Sequence, residues 1–309
     1  MARVGCRPSG SRWAARSLVI AGLCVLAGVV VLLLVGRARQ APVRPYVPPL
    51  PAGCSWVKPP PGECPGGDAR AYQEWVGQNG PLTIRHDQSG IELIWVPGGS
   101  FAMGSEDGNR DEEPVHRVRL DGFWIGRTEV TVKQWRSVMD SVLGPDNDQG
   151  EDHPVVDVSW EQGQDFCQRT GLALPTEAQW EYAARGPEDR TYPWGDWWAR
   201  SLCCSAESRR GHSRTVPVGS FPKGASWCGA LDMAGNVYEW CRDWYDKDFY
   251  ESTKRGATDP VCTRGDSGNR VLRGGSWFNH ADSCRSAARE FNFSSLQDLD
   301  IGFRVARTR

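Results

Sequence analysis

The stretch from Gly274 to Cys284 gathers a hydroxyl (Ser276), an amide (Asn279), an imidazole (His280) and a thiol (Cys284). A thiolate is a strong nucleophile and a ligand for soft metal ions, whereas an amide oxygen is a hard donor. Cys284 is therefore the residue here most able to do redox or soft-metal chemistry, and Asn279, five positions earlier, is a poor second ligand for it. Ser276 sits in Gly-Gly-Ser and lacks the Gly-x-Ser-x-Gly frame of a nucleophile elbow. The glycine pair reads instead as a tight turn or a close backbone approach. His86, His116, His153, His212 and His280 show no metal-ligand spacing, and no Cys-x-x-Cys pair occurs.

The elements that must position these residues can be read in part. Ile91 to Val96 and His116 to Leu120 read as strands. Ser159-Trp160-Glu161-Gln162 and Thr176-Glu177-Ala178-Gln179 fit capping boxes. They predict helices to about Thr170 and Arg185, stopped by Gly171 and Gly186. Thr131 to Asp140 and residues 68–79 are further helix candidates. Elsewhere Gly, Pro, Asp and Trp dominate, which points to an α+β domain with little regular structure and long packed loops. Most of the 15 Trp are expected in the core, because aromatic rings supply large apolar area per residue.

Residues 17–36 carry no charge and are long enough, at about 1.5 Å per residue, to span a bilayer core of roughly 30 Å. Arginines flank the run with a slight bias that favours a cytoplasmic N-terminus. The expected organisation is a cytoplasmic N-terminus (1–16), a single-pass transmembrane helix (17–36), a proline-rich stalk (37–67), a short helical lead-in (68–90) and a folded domain (91–309) outside the cytoplasm. The stalk holds nine prolines between residues 42 and 65. Cys54, Cys64, Cys167, Cys203, Cys204, Cys228, Cys241, Cys262 and Cys284 lie beyond the span, in a compartment that permits disulfides. Cys54 could pair with Cys64, and Cys228 with Cys203 or Cys204. A formal charge of -2 gives no electrostatic basis for binding nucleic acid.

Several segments together resemble the sulfatase-modifying factor family, the formylglycine-generating enzymes. They are Val96 to Ser105, Glu129-Val130-Thr131, His153-Pro154-Val155, Leu174 to Gly186, Tyr192 to Gly195, Asp232 to Trp240, Leu272 to Trp277 and Ile301 to Arg304, in the family's order over residues 91–309. The resemblance implies a loop-rich fold related to C-type lectin-like domains. It implies a calcium loop at Asp232, Gly235, Val237 and Glu239, and the physics agrees: calcium takes carboxylate and carbonyl oxygens from a bent loop. A second calcium site of the family finds no matching acid in residues 200–221.

The family holds copper between two thiolates and oxidises a substrate cysteine, in the sulfatase motif Cys-x-Pro-x-Arg, to formylglycine. Ser276, His280 and Cys284 match family positions, and Tyr238 stands where an aromatic borders the oxygen pocket. Asn279 takes the place of the other copper-binding cysteine. Cys284 is then a disulfide partner, with Cys241 the first choice, or one half of a copper site rebuilt with another thiol, or a buried free thiol. Three functions follow as expectations. The first is a membrane-anchored protein that binds a peptide or another ligand, or carries altered chemistry. The second is an active copper-dependent oxidase acting on a sulfatase-like substrate. The third is a structural envelope module.

Overall fold

The computed structural model describes residues 45–66, 68–141, 143–208, 214–265 and 268–308. The expected span at 17–36 and the segments on either side of it up to residue 44 lie outside these. Among the described residues, no helix is long and apolar enough to cross a membrane.

The helix starts are fixed by local hydrogen bonds. Ser159 accepts from the amide of Gln162, whose side chain accepts from the Ser159 amide, and the helix Trp160–Thr170 ends at Gly171 in the left-handed region. Thr176 and Gln179 close the same reciprocal pair ahead of Glu177–Arg185. Thr131 and Gln134 do so ahead of Val132–Arg136, a shorter helix than expected. There the Ser137 hydroxyl donates to the Gln134 carbonyl at 2.7 Å as the chain turns away. Asp68 caps Ala69–Asn79.

The strands form separate sheets. One runs Ala306–Arg307, Phe123–Gly126, Glu92–Val96, Thr83–His86, Cys54–Trp56, antiparallel throughout. A second runs Glu290–Phe293, Asn269–Arg273, Tyr238–Trp244, Ile301–Gly302, its last pairing parallel. A third sets Ala257–Thr258 and Gly99–Met103 on either side of His116–Leu120. Separate sheets and short helices make this an α+β fold dominated by loops. Trp95, Trp124, Trp135, Trp180 and Trp240 are among the largest fully buried side chains; seven of the fourteen described tryptophans are buried, and five more pack partly buried against the buried clusters.

The proline-rich segment departs from a free stalk over its described part. Pro45–Tyr46 pairs with Cys64–Pro65, and Cys54–Trp56 adds the edge strand beside Thr83–His86. Prolines tolerate these edge positions because no amide of theirs is needed by a neighbouring strand. The folded unit therefore begins well before residue 91.

Candidate functional site

The segment 274–284 leaves the strand Asn269–Arg273 and runs past the loop that precedes Tyr238–Trp244. Gly274 and Gly275 have φ of 96° and 69°, a region where side chains are strained. A Cβ on Gly275 would stand 2.9 Å from Cys284 Sγ, so the bare backbone makes room for the sulfur. The buried Arg273 and Arg289 and the half-buried Arg285 fix both ends. Arg273 bonds Glu181 at 2.5 Å and lies 3.6 Å from Glu177, Arg289 bonds Glu177 at 2.7 Å, and Arg285 bonds Glu112 at 2.6 Å.

Ser276 is fully buried. Its amide and its hydroxyl lie 2.9 and 2.6 Å from Asn279 Oδ1, and the hydroxyl lies 2.7 Å from Asp300 Oδ2. One hydroxyl proton cannot serve both acceptors at once. The Ser276 hydroxyl is shared between the Asn279 oxygen and the Asp300 carboxyl, and burial raises that carboxyl above its ordinary value. The Asn279 oxygen is thus turned inward onto the turn. Its backbone carbonyl accepts from the Ala206 amide at 2.9 Å.

Cys284 has no exposed surface and shares a small apolar cluster with Cys203 and Ala234, flanked by Trp194 and Trp198. Burial first, and Cys203 next, push its thiol well above the usual range. It is a neutral thiol at physiological pH. Tyr238 is buried beside it, its phenol raised by burial and hydrogen-bonded to Ser283. Tyr238, Ser283 and Arg289 border a cleft of about 100 Å³. The backbone ties the two clusters together, since the Tyr238 amide donates to the Asp300 carbonyl at 2.8 Å. His280 stands apart, its side chain 78% exposed and Nδ1 3.5 Å from Glu207.

The expected pairings of cysteines are not made. Cys54, Cys64, Cys167, Cys203, Cys228, Cys241, Cys262 and Cys284 are buried thiols, and no disulfide joins any of the described cysteines. Cys241 lies in the strand Tyr238–Trp244 among Arg273, Glu177 and Asp243, whereas Cys284 packs with Cys203. Cys228 bonds Ser226 and the Ala183 carbonyl instead of meeting Cys203 or Cys204. Cys54 faces Arg307, and Cys64 donates to the Tyr46 carbonyl.

The bent loop from Asp232 is held by its own polar groups. Asp232 and Asn236 have φ of 56° and 64°, and Gly235 has 78°. Asp232 accepts from the Gly219 amide at 2.5 Å, and Asn236 donates to Glu129 at 2.8 Å. Both oxygens of Glu239 are occupied: Arg304 donates to them at 2.6 and 2.7 Å, and the Trp180 indole adds a third bond at 2.8 Å. Among the described residues, no group of three or more His, Cys, Asp or Glu side chains is arranged to hold a metal ion. The charge balance nevertheless leaves room for a cation. Glu129 Oε2 is buried with no hydrogen-bond partner. Burial, Asp232 and Glu239 together raise Glu129 well above the ordinary carboxyl value, and burial raises Asp232. The Glu239 side chain therefore has no free oxygen for calcium, whereas Glu129 Oε2 is unengaged beside Asp232. Copper does not fit Asn279 with Cys284, because the amide oxygen is a hard donor already engaged with Ser276.

Asp300, Cys203, Glu129 and Arg304 are the site residues that sequence reasoning missed. Glu129 and Arg304 stand inside recognised motifs, but nothing local marks their partners. Cys203 and Asp300 meet theirs only through the fold.

Residues 81–309 match the model of the sulfatase-modifying factor enzyme 1-like domain. The chain is 34% identical over 282 residues to a formylglycine-generating enzyme of Streptomyces coelicolor, covering 69% of this chain and 88% of that one. It is 36% identical over 244 residues to the serine/threonine-protein kinase Pkn1 of Chlamydia trachomatis, covering 70% of this chain but spanning only 38% of that relative's length. Among solved structures, PvdO from Pseudomonas aeruginosa aligns with a TM-score of 0.64 and 26% identity, covering 74% of this chain and 99% of that one. By the matched domain and the shared fold, this chain belongs to the sulfatase-modifying factor family.

Proposed function

We propose that this protein is a membrane-anchored, extracytoplasmic family member that holds a peptide or sulfatase-like ligand and does not make formylglycine through a two-cysteine copper site. One observation carries this reading: Asn279 spends its oxygen on the Ser276 turn while Cys284 is wholly buried and neutral. A substrate cysteine would find no thiolate at the surface here. The recess beside Tyr238 and the exposed rings of Phe278 and Trp197, 60% and 65% exposed, offer contact surface for a bound chain. Residues 17–36 supply the anchor. Calcium belongs to the same proposal as a structural ion held by Asp232, the Gly235 and Val237 carbonyls and Glu129; bound there, it offsets buried negative charge.

The test uses the full chain in detergent, loaded with Cu(I) under oxygen and incubated with a Cys-x-Pro-x-Arg peptide. The expected outcome is saturable binding with the peptide thiol intact. Conversion of the thiol to an aldehyde would overturn the proposal. It would favour the second reading, an active oxidase, which draws support from Cys203 lying against Cys284 and from the identity to a formylglycine-generating enzyme.

A further inference from the structure

We propose that Cys203 and Cys284 are the pair of thiols this chain oxidises to a disulfide, formed while it folds. The packing carries the inference, independently of any ligand. The two side chains share one small cluster with Ala234, between Trp194 and Trp198. Their backbones already run together. The Ala206 amide donates to the Asn279 carbonyl at 2.9 Å, and the Ala281 amide donates to Glu207 at 3.2 Å. These bonds hold residues 206–207 against residues 279–281, close in sequence to the two cysteines. Gly275 leaves the space beside the Cys284 sulfur open.

The other thiols belong to different packing groups. Cys204, although near enough to raise the Cys284 thiol, packs in a separate cluster with Val216 and Trp277. Cys262 donates to the Arg264 carbonyl at 3.1 Å. Cys167 and Cys241 are buried elsewhere in the main core. The bond would join the strip 203–207 to the segment carrying Ser276 and Asn279.

The oxidant is a disulfide, either glutathione disulfide or an oxidoreductase disulfide of an oxidising compartment. One thiolate attacks it, forming a mixed disulfide and releasing one thiol. The second thiolate then displaces the other. One S–S bond forms and one breaks; the two protein thiols lose two electrons and two protons, and the oxidant leaves as two thiols. Attack requires thiolate and access. Both sulfurs are enclosed once the chain is folded, so exchange belongs to the folding chain and is slow afterwards.

The test is peptide mapping without reduction. The full chain is unfolded and reduced, then refolded in detergent with a glutathione redox buffer, alkylated and digested with trypsin. The expected product joins residues 201–209 to residues 274–285 and is lighter by two hydrogens than the two reduced peptides together. It is lost in Cys203→Ser and kept in Cys204→Ser. Folded, reduced protein given the same buffer forms it at least tenfold more slowly. The proposal fails if both peptides are recovered fully alkylated after refolding, or if the link survives Cys203→Ser and disappears in Cys204→Ser. The linked wild-type peptide carries both Cys203 and Cys204, so if Cys203→Ser is unstable the assignment rests on the Cys204→Ser map, which keeps the link if the proposal holds and loses it if Cys204 is the partner.

Discussion

Replacing Asn279 by alanine separates a structural amide from a ligand. In the native turn, Asn279 Oδ1 accepts from the Ser276 amide at 2.9 Å and from its hydroxyl at 2.6 Å. Ser276 is fully buried, so its amide has no water to turn to. A buried donor left without a partner costs about 1–3 kcal/mol, and each lost hydrogen bond about 1 kcal/mol net. The hydroxyl recovers part of this by donating to Asp300, 2.7 Å away. Asn279→Ala should therefore lose about 2–3 kcal/mol. In a domain of this size each kcal/mol moves Tm by roughly 2–4 °C, so the midpoint should fall by roughly 5–10 °C. Asn279→Asp keeps an oxygen acceptor for the amide and should lose less. The assay is thermal unfolding of the full chain in detergent, followed by tryptophan fluorescence. An Asn279→Ala midpoint within about 1 °C of wild type would refute the assignment of this side chain to the turn.

Further outcomes follow from the same geometry. Arg304→Met leaves the Glu239 carboxylate buried with only the Trp180 indole as partner, and should cost about 3–5 kcal/mol by chemical denaturation. Gly275→Ala places a methyl 2.9 Å from Cys284 Sγ at a φ of 69°; left-handed strain and overpacking together should cost about 2–4 kcal/mol. Calcium should raise the Tm of wild type over that in chelator, and Glu129→Gln should reduce that difference; equal shifts in both proteins would remove Glu129 from the site. Asp243 is held at about 7, chiefly by burial and then by Glu177, against an ordinary 3.8. The folded state therefore keeps a proton that the unfolded chain gives up. The stability this contributes is fully present below pH 3.8 and is lost as pH rises to about 7, amounting to about 4 kcal/mol at most. Asp243→Asn should flatten that part of the stability–pH curve, and an unchanged slope would contradict the assignment.

What was legible in the sequence was what local chemistry decides. The two capping boxes read from the sequence each close within four residues, so Ser159 and Thr176 mark their helices without help from the fold; the helix candidate at Thr131 proves to open on a third such box. The alternation of His116–Leu120 survives as buried and exposed faces of one strand. The motif at Gly274 and Gly275 announces a turn that only glycine makes easily. The rest depends on partners far along the chain. Glu239 reads as a metal-loop acid until Arg304, 65 positions later, takes both its oxygens. Cys284 reads as a partner for Cys241 until the fold sets it against Cys203. The prolines of residues 45–65 suggest an extended spacer, yet their segment pairs along sheet edges whose partners no local pattern names. Ser276 was matched by position, but the acid that meets it, Asp300, is 24 positions away on another segment.

The central claim, that this member of the family binds without two-cysteine oxidation, is tested most directly by mass spectrometry of a Cys-x-Pro-x-Arg peptide after incubation with the Cu(I)-loaded full chain under oxygen. The account predicts a peptide of unchanged mass that still reacts as a thiol. Time-dependent appearance of the formylglycine aldehyde, abolished in Cys284→Ser, would contradict it.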